Sequence, residues 1–138
     1  MLIGINNKTK SNIDLNLVEQ TAKKFLLSKK LKNKEISIAF VGDQTIRNIN
    51  KKYRHIDKVT DVLSFNGENN FLGEIIINYR QIKRQAKKYK KTLKQELIFI
   101  LVHGLLHLIG YNDHTEDERK RMVKLGENFI KNNFNIDD

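Results

Sequence analysis

The sequence predicts an α+β fold class: a small mixed sheet of about four strands, covering helices, and a buried central helix that carries a pair of histidines. Three observations predict it. Four short apolar segments, at 1–7, 35–41, 61–66 and 72–78, are each bounded by polar residues and read as strands. Between and after them, apolar residues recur at helical spacing. In "LKQELIFILVHGLLHLIG", residues 93–110, ten of the thirteen residues 97–109 are apolar on every side of the helical wheel, the pattern of a helix covered all round.

Each element has its own signal. "MLIGINN" (1–7) opens the chain as a strand. Leu15, Val18, Ala22 and Phe25 then mark one face of a helix, with Asp14 placed to cap it. "EISIAFV" (35–41) is the second strand, and Asp43 stands where a cap would open a short helix carrying Ile46, Ile49 and Tyr53. "DVLSFN" (61–66) and "LGEIIIN" (72–78) are two further strands, and "GENNF" between them suits a hairpin-like connection. Asn78 and Gln81 open a helix with Tyr79, Ile82, Ala86 and Tyr89 on one face. Gly110 is suited to stop the apolar helix. Thr115-Glu116-Asp117-Glu118 forms a capping box with acids in the first turn, and Met122, Leu125 and Phe129 give the last helix its apolar face.

At 138 residues the chain 1–138 is expected to be one domain, able to bury roughly two-thirds of its unfolded surface. It has no cysteine, so disulfides and thiolate metal sites are excluded and any metal must be held by His, Asp or Glu. "MLIGINNKTK" has no signal-peptide apolar region, and the longest apolar run is too short to span a bilayer. A cytoplasmic protein with no membrane partner is expected. The net charge of +10 points to a polyanionic partner, nucleic acid first. A Lys-, Asn- and Ile-rich chain without proline is also what an AT-rich genome produces, so charge alone does not decide. The run "YRQIKRQAKKYKK" (79–91), with seven basic residues and no acid, reads as an RNA-facing surface, its alternative being a solvated helix face.

The chemistry concentrates in "HGLLHLIGYNDH", 103–114. His103 and His107, four apart, share one helix face, so their imidazoles can converge on one ion. Once the helix stops at Gly110, the chain can return a third ligand, and His114 lies in that return. Three protein ligands would leave a fourth position for water, as in a catalytic zinc. The alternative is a cluster of satisfied core histidines, which two buried imidazoles in an apolar helix make harder to build. Gly104 stands where the zinc-protease signature His-Glu-x-x-His has its basic glutamate, which disfavours peptide hydrolysis. Phosphodiester hydrolysis is more tolerant of that loss, provided positive charge meets the transition state. Arg54, one of six arginines among 26 basic residues, can grip a phosphate bidentately, although one arginine in a polar segment is usually solvated.

Taken together, "HGLLHLIGYNDH", Tyr53-Arg54, "TDVLSF" (60–65) and "LGEI" (72–75) resemble the bacterial YbeY family of metal-dependent endoribonucleases, over essentially the whole chain. That family reads roughly H-G-x-L-H-L-x-G-Y-D-H, with Y-R, then P-T-D-V-L-S-F, then L-G-D-I. The resemblance implies a single-strand-specific endoribonuclease acting in ribosomal RNA processing, at the 3′ end of small-subunit 16S rRNA, and in ribosome quality control. It implies one Zn²⁺ on three histidines, here His103, His107 and His114, and a catalytic or phosphate-binding role for Arg54. Expected partners are single-stranded or ribosomal RNA, the small ribosomal subunit and its assembly factors, and not DNA. Val59 replaces the family's proline and Glu74 its aspartate. Asn112 is an extra residue, so Asp113 falls at the third histidine's spacing and His114 comes one later; a loop absorbs one residue easily, which favours His114, with Asp113 replacing or supporting it. The general base is open between Glu116 and Asp61. The competing classes are a non-catalytic ribosome- or RNA-binding module with a structural metal, and another metal-dependent hydrolase.

Overall fold

Strands β1 (Leu2–Asn7), β2 (Glu35–Val41), β3 (Val62–Asn66) and β4 (Phe71–Asn78) pair in the spatial order β1-β2-β4-β3. They belong to a computed structural model that describes residues 2–134; Met1, counted in the expected first strand, lies outside the described residues, as do 135–138. β1, β2 and β4 run parallel and β3 returns antiparallel beside β4, so the sheet is mixed as expected. Helix α1 (Leu15–Ser28) crosses from β1 to β2, and α2 (Asp43–Arg54) leads from β2 towards the β3–β4 hairpin. Then α3 (Tyr79–Lys88), α4 (Leu93–Leu108) and α5 (Glu116–Asn133) follow without a break for a strand. The element order is the one the sequence predicts.

Alternation along the strands decides which helix covers which face. Ile36, Ile38 and Phe40 of β2 and Ile75 and Ile77 of β4 point into the main core with α1, α4 and α5. Val41, Leu63 and Ile76 point the other way, onto Ile46 of α2. The sheet is thus a middle layer, with one short helix on one face and the rest on the other. α4 is buried as its all-round apolar wheel requires: Leu101, Val102 and Leu105 are fully covered by α1, α3, α5 and the sheet. Burying each such side chain contributes about 1.5–3 kcal/mol. The helix is therefore a fixed rod, and any side chain on its open stripe inherits that rigidity.

The helix ends follow the capping signals with one exception. The Asp14 carboxylate accepts from the Leu17 N–H, Thr92 and Gln95 form a capping box on α4, and Thr115 and Glu118 form another on α5. Gly110, at φ +105°, takes the positive-φ position that ends α4. Asp43 is the exception: it does not cap α2. Gly42 is the N-cap, and the Asp43 carboxylate turns to Arg84 on α3, 2.6 Å from Nη2, and accepts 2.7 Å from Nδ2 of the buried Asn78. Tyr53 and Tyr89, expected on apolar faces, are instead exposed.

That Asp43–Arg84 bridge gives an acid-dependent contribution to stability. Hydrogen bonding from Arg84 is the main reason the Asp43 carboxyl lies below its ordinary 3.8; partial burial pulls upward, and Asn78 adds to the lowering. Because the folded-state value lies below the unfolded one, the stabilisation is complete above pH 3.8 and fades as pH falls through the lowered value. Arg84→Met is expected to cost up to about 1 kcal/mol near neutral pH, since the pair is partly exposed. The difference in melting temperature between variant and parent should close below pH 3.8. A difference that stays constant into strong acid would contradict the assignment.

Candidate active site and metal centre

His103 and His107 stand one turn apart on α4's open stripe, both half-buried, at the floor of a cleft of about 760 Å³. Their Nε2 atoms lie 3.2 Å apart. The chain leaving α4 at Gly110 returns a carboxylate: Asp113 Oδ2 is 3.4 Å from His103 Nε2 and 3.4 Å from His107 Nε2. These three residues form a group that could hold a metal ion. An ion bonded at roughly 2.0–2.1 Å to donors at tetrahedral angles holds those donors roughly 3.3–3.4 Å apart. The observed separations fit that geometry.

The surrounding contacts prepare the imidazoles for such a role. His107 Nδ1 lies 3.0 Å from the Tyr111 carbonyl oxygen, to which it can only donate, and that bond orients Nε2 towards His103 and Asp113. His103 stacks on Phe99. Burial, and secondly the neighbouring His107, lower the His103 pKa, while Asp113 and Asp61 pull the other way. The balance favours the neutral ring, the form that ligates a metal.

Of the residues the sequence singles out, His103, His107, His114 and Arg54 all line this cleft. Asp113, not His114, is the one brought into the donor group with the two imidazoles. His114 is exposed in the cleft wall one residue on. Arg54 ends α2 and is tethered by Nη2 donating to the Ser64 carbonyl oxygen at 2.9 Å, with its guanidinium over the Phe65 ring.

Gly104 has a structural reason that its position in the motif does not disclose. It faces the sheet and not the cleft. A Cβ there would meet Ile75 at 3.1 Å, Val62 at 3.2 Å and the Ser64 hydroxyl oxygen at 3.4 Å. The Ser64 hydroxyl donates to the Gly104 carbonyl oxygen at 2.9 Å. The glycine therefore lets α4 approach β3 closely, which sets the distance between the histidines and the strand carrying Asp61 at its entry.

Of the two carboxylates left open as a base, Asp61 lines the cleft, whereas Glu116 borders a separate shallow depression on α5 and pairs with Lys120. Sequence reading misses Lys58 and Arg119, two further cations in the cleft wall. The signal for Arg119 was present: the Thr115 cap places it one turn into α5, beside the return loop. The basic run of α3 is partly consumed by structure. Arg84 and Arg80 serve Asp43, and Lys91 binds the buried Glu96. None of the cleft-lining residues comes from α3. Among the described residues, no helix is long and apolar enough to cross a membrane.

The family described as Endoribonuclease YbeY matches residues 4–133. A curated protein named Endoribonuclease YbeY from Thermodesulfovibrio yellowstonii is 48% identical over 104 residues; the match covers 70% of this chain and 65% of that relative's length. One of the same name from Endomicrobium trichonymphae is 35% identical over 131 residues, covering 94% of this chain and 92% of the relative. The fold is shared with a solution structure of a Thermotoga maritima protein, at TM-score 0.63 and 24% identity, with 95% of this chain and 91% of that one covered.

Proposed function

The chain belongs to the Endoribonuclease YbeY family of RNA-cleaving hydrolases, and from that premise we propose that it is a zinc-dependent, single-strand-specific endoribonuclease of ribosomal RNA processing. The proposal includes maturation of the 3′ end of small-subunit 16S rRNA and ribosome quality control. It places the protein in the cytoplasm, with the small ribosomal subunit and its assembly factors as partners. The observation that carries the reading is the convergence of His103, His107 and Asp113 in a cleft also walled by Arg54.

His103 and His107 supply two ligands in this reading, and the return loop supplies the third. Asp113 is favoured for it by position; His114 is the donor favoured by the family resemblance. Zinc, when bound there, supplies Lewis-acid polarisation of a phosphoryl oxygen and a water acidic enough to attack near neutral pH. The rest falls to the chain's own groups. Arg54 grips the scissile phosphate and stabilises the charge that develops on it. Lys58 and Arg119 hold flanking phosphates without reading sequence. An open groove with such a floor suits an extended strand, whose phosphates can reach the ligands, better than a stacked duplex.

Arg54 gives the experiment. Arg54→Lys keeps the charge but loses the planar fork, and single-turnover cleavage of single-stranded RNA should slow about tenfold. Arg54→Ala should slow it by roughly 10²–10³-fold. Bound metal should be unchanged in both. Cleavage at the parental rate by Arg54→Ala would remove Arg54 from the reaction, and a parent protein that binds RNA but never cuts it would favour a binding module with a structural metal.

A further inference from the structure

We propose that Asp61 is the proton acceptor of the reaction and that Gln85 is the positioning residue that aims it, anchored by the buried Glu96 and its partner Lys91. The inference rests on the nuclease reading above and adds to it a residue for a role that reading leaves unfilled.

The cleft narrows the choice. Among its described lining residues the carboxylates are Asp61 and Asp113, and Asp113 is committed to the two imidazoles. Asp61 immediately precedes β3, whose Val62 packs at the Gly104 position beside His103. Its backbone is bolted down, because the Asn78 N–H donates to the Asp61 carbonyl oxygen at 2.8 Å.

Its carboxylate is held by an unusual partner. Gln85 Nε2 donates to Asp61 Oδ2 at 3.3 Å and to Glu96 Oε2 at 2.8 Å. An amide nitrogen has two hydrogens, so one –NH₂ group spans two carboxylates and both are acceptors there. Glu96 is only 2% exposed, and its other oxygen takes Lys91 Nζ at 2.9 Å. A carboxylate buried so deeply is costly unless paired. Lys91 and Gln85 together meet that cost, and they fix Gln85 in turn. Glu96 also lies seven residues before His103, two turns along the same stripe of α4. The rod that fixes the histidines therefore also fixes the group behind Asp61. Asp61 Oδ2 is occupied by Gln85, and among the described residues Oδ1 has only a long contact of 3.4 Å from the Thr60 hydroxyl, which leaves it the oxygen free to work.

In the step this serves, a water oxygen bonds to phosphorus and gives its proton to Asp61 Oδ1. The bond from phosphorus to the departing ribose oxygen breaks, and that oxygen leaves as an alcohol after taking a proton from solvent.

The test is a double-mutant cycle on full-length, zinc-loaded protein with saturating single-stranded RNA, read as single-turnover rate, RNA affinity, zinc per chain and melting temperature. Asp61→Asn should slow cleavage by roughly 10²–10³-fold, within the range of general-base catalysis, and leave affinity and zinc within about twofold. Gln85→Met should slow it about tenfold, and Asp61→Asn combined with Gln85→Met should be no slower than Asp61→Asn alone. Asp61→Asn at the parental rate would overturn the proposal. So would losses that multiply in the double variant, which would leave Gln85 a structural residue. If Gln85→Met does not fold, Asp61→Asn alone decides, because Asp61 lines the cleft. A parent protein that cleaves no RNA would sink the nuclease reading together with this inference, whereas a cleaving parent with an unaffected Asp61→Asn sinks only the inference.

Discussion

Gly104→Glu, which writes the zinc-protease signature into α4, is expected to destabilise the fold and not to create a peptidase. Position 104 faces Ile75, Val62 and Ser64, where even a Cβ would be crowded at 3.1–3.4 Å. Replacing a helical glycine gains at most about 1 kcal/mol of helix propensity. Against that stand overpacking of roughly 1–3 kcal/mol and a carboxylate forced towards fully buried Ile75, which costs several more. The net loss should exceed about 3 kcal/mol, a large part of the 5–15 kcal/mol that holds a domain together. Thermal unfolding should fall by roughly 10 °C or more. A variant melting within about 2 °C of the parent would show that the α4–β3 contact is looser than described.

Asp113→Ala is expected to lose zinc, and His114→Ala to keep it. The Asp113 carboxylate completes a set of three donors whose mutual separations of 3.2–3.4 Å suit one tetrahedral ion. Removing a direct ligand should weaken zinc by more than about a hundredfold, beyond the 10–100-fold of an outer hydrogen-bond partner. His114 is exposed one residue further along and should cost less than tenfold. Competition titration with a chromogenic chelator measures both. The reverse ranking would give the third position to His114, as the family resemblance implies, and would make Asp113 its supporting partner.

The part of this arrangement that was legible in the sequence is the part set by local periodicity. Asp14, Thr115 and Gly110 act through neighbours within a few residues, so their caps and stops could be read directly. The same holds for His103 and His107, because four-residue spacing on a helix dictates a shared face. What was not legible depends on partners far along the chain. Asp43 looks like a cap until Arg84, forty-one residues on, takes its carboxylate. Gly104 looks like a lost base until the close approach of β3 is seen. Lys91 looks like an RNA contact until buried Glu96 claims it. The one-residue slip at Asn112 is of the same kind: spacing along a loop does not fix which side chain turns inward. Asp113 does so here, and His114 stays in the wall.

If the His103–His107 cleft cuts RNA through a bound metal, as proposed, cleavage must depend on that metal. The most direct measurement is single-turnover cleavage of single-stranded RNA by one preparation in three states: as zinc-loaded protein, after a chelator has removed the metal, and after zinc is restored, with metal per chain counted each time. About one zinc per chain is expected, with a loss of at least roughly a thousandfold on stripping and recovery on restoration. Cleavage that survives complete removal of the metal, with the fold intact, would contradict the proposal.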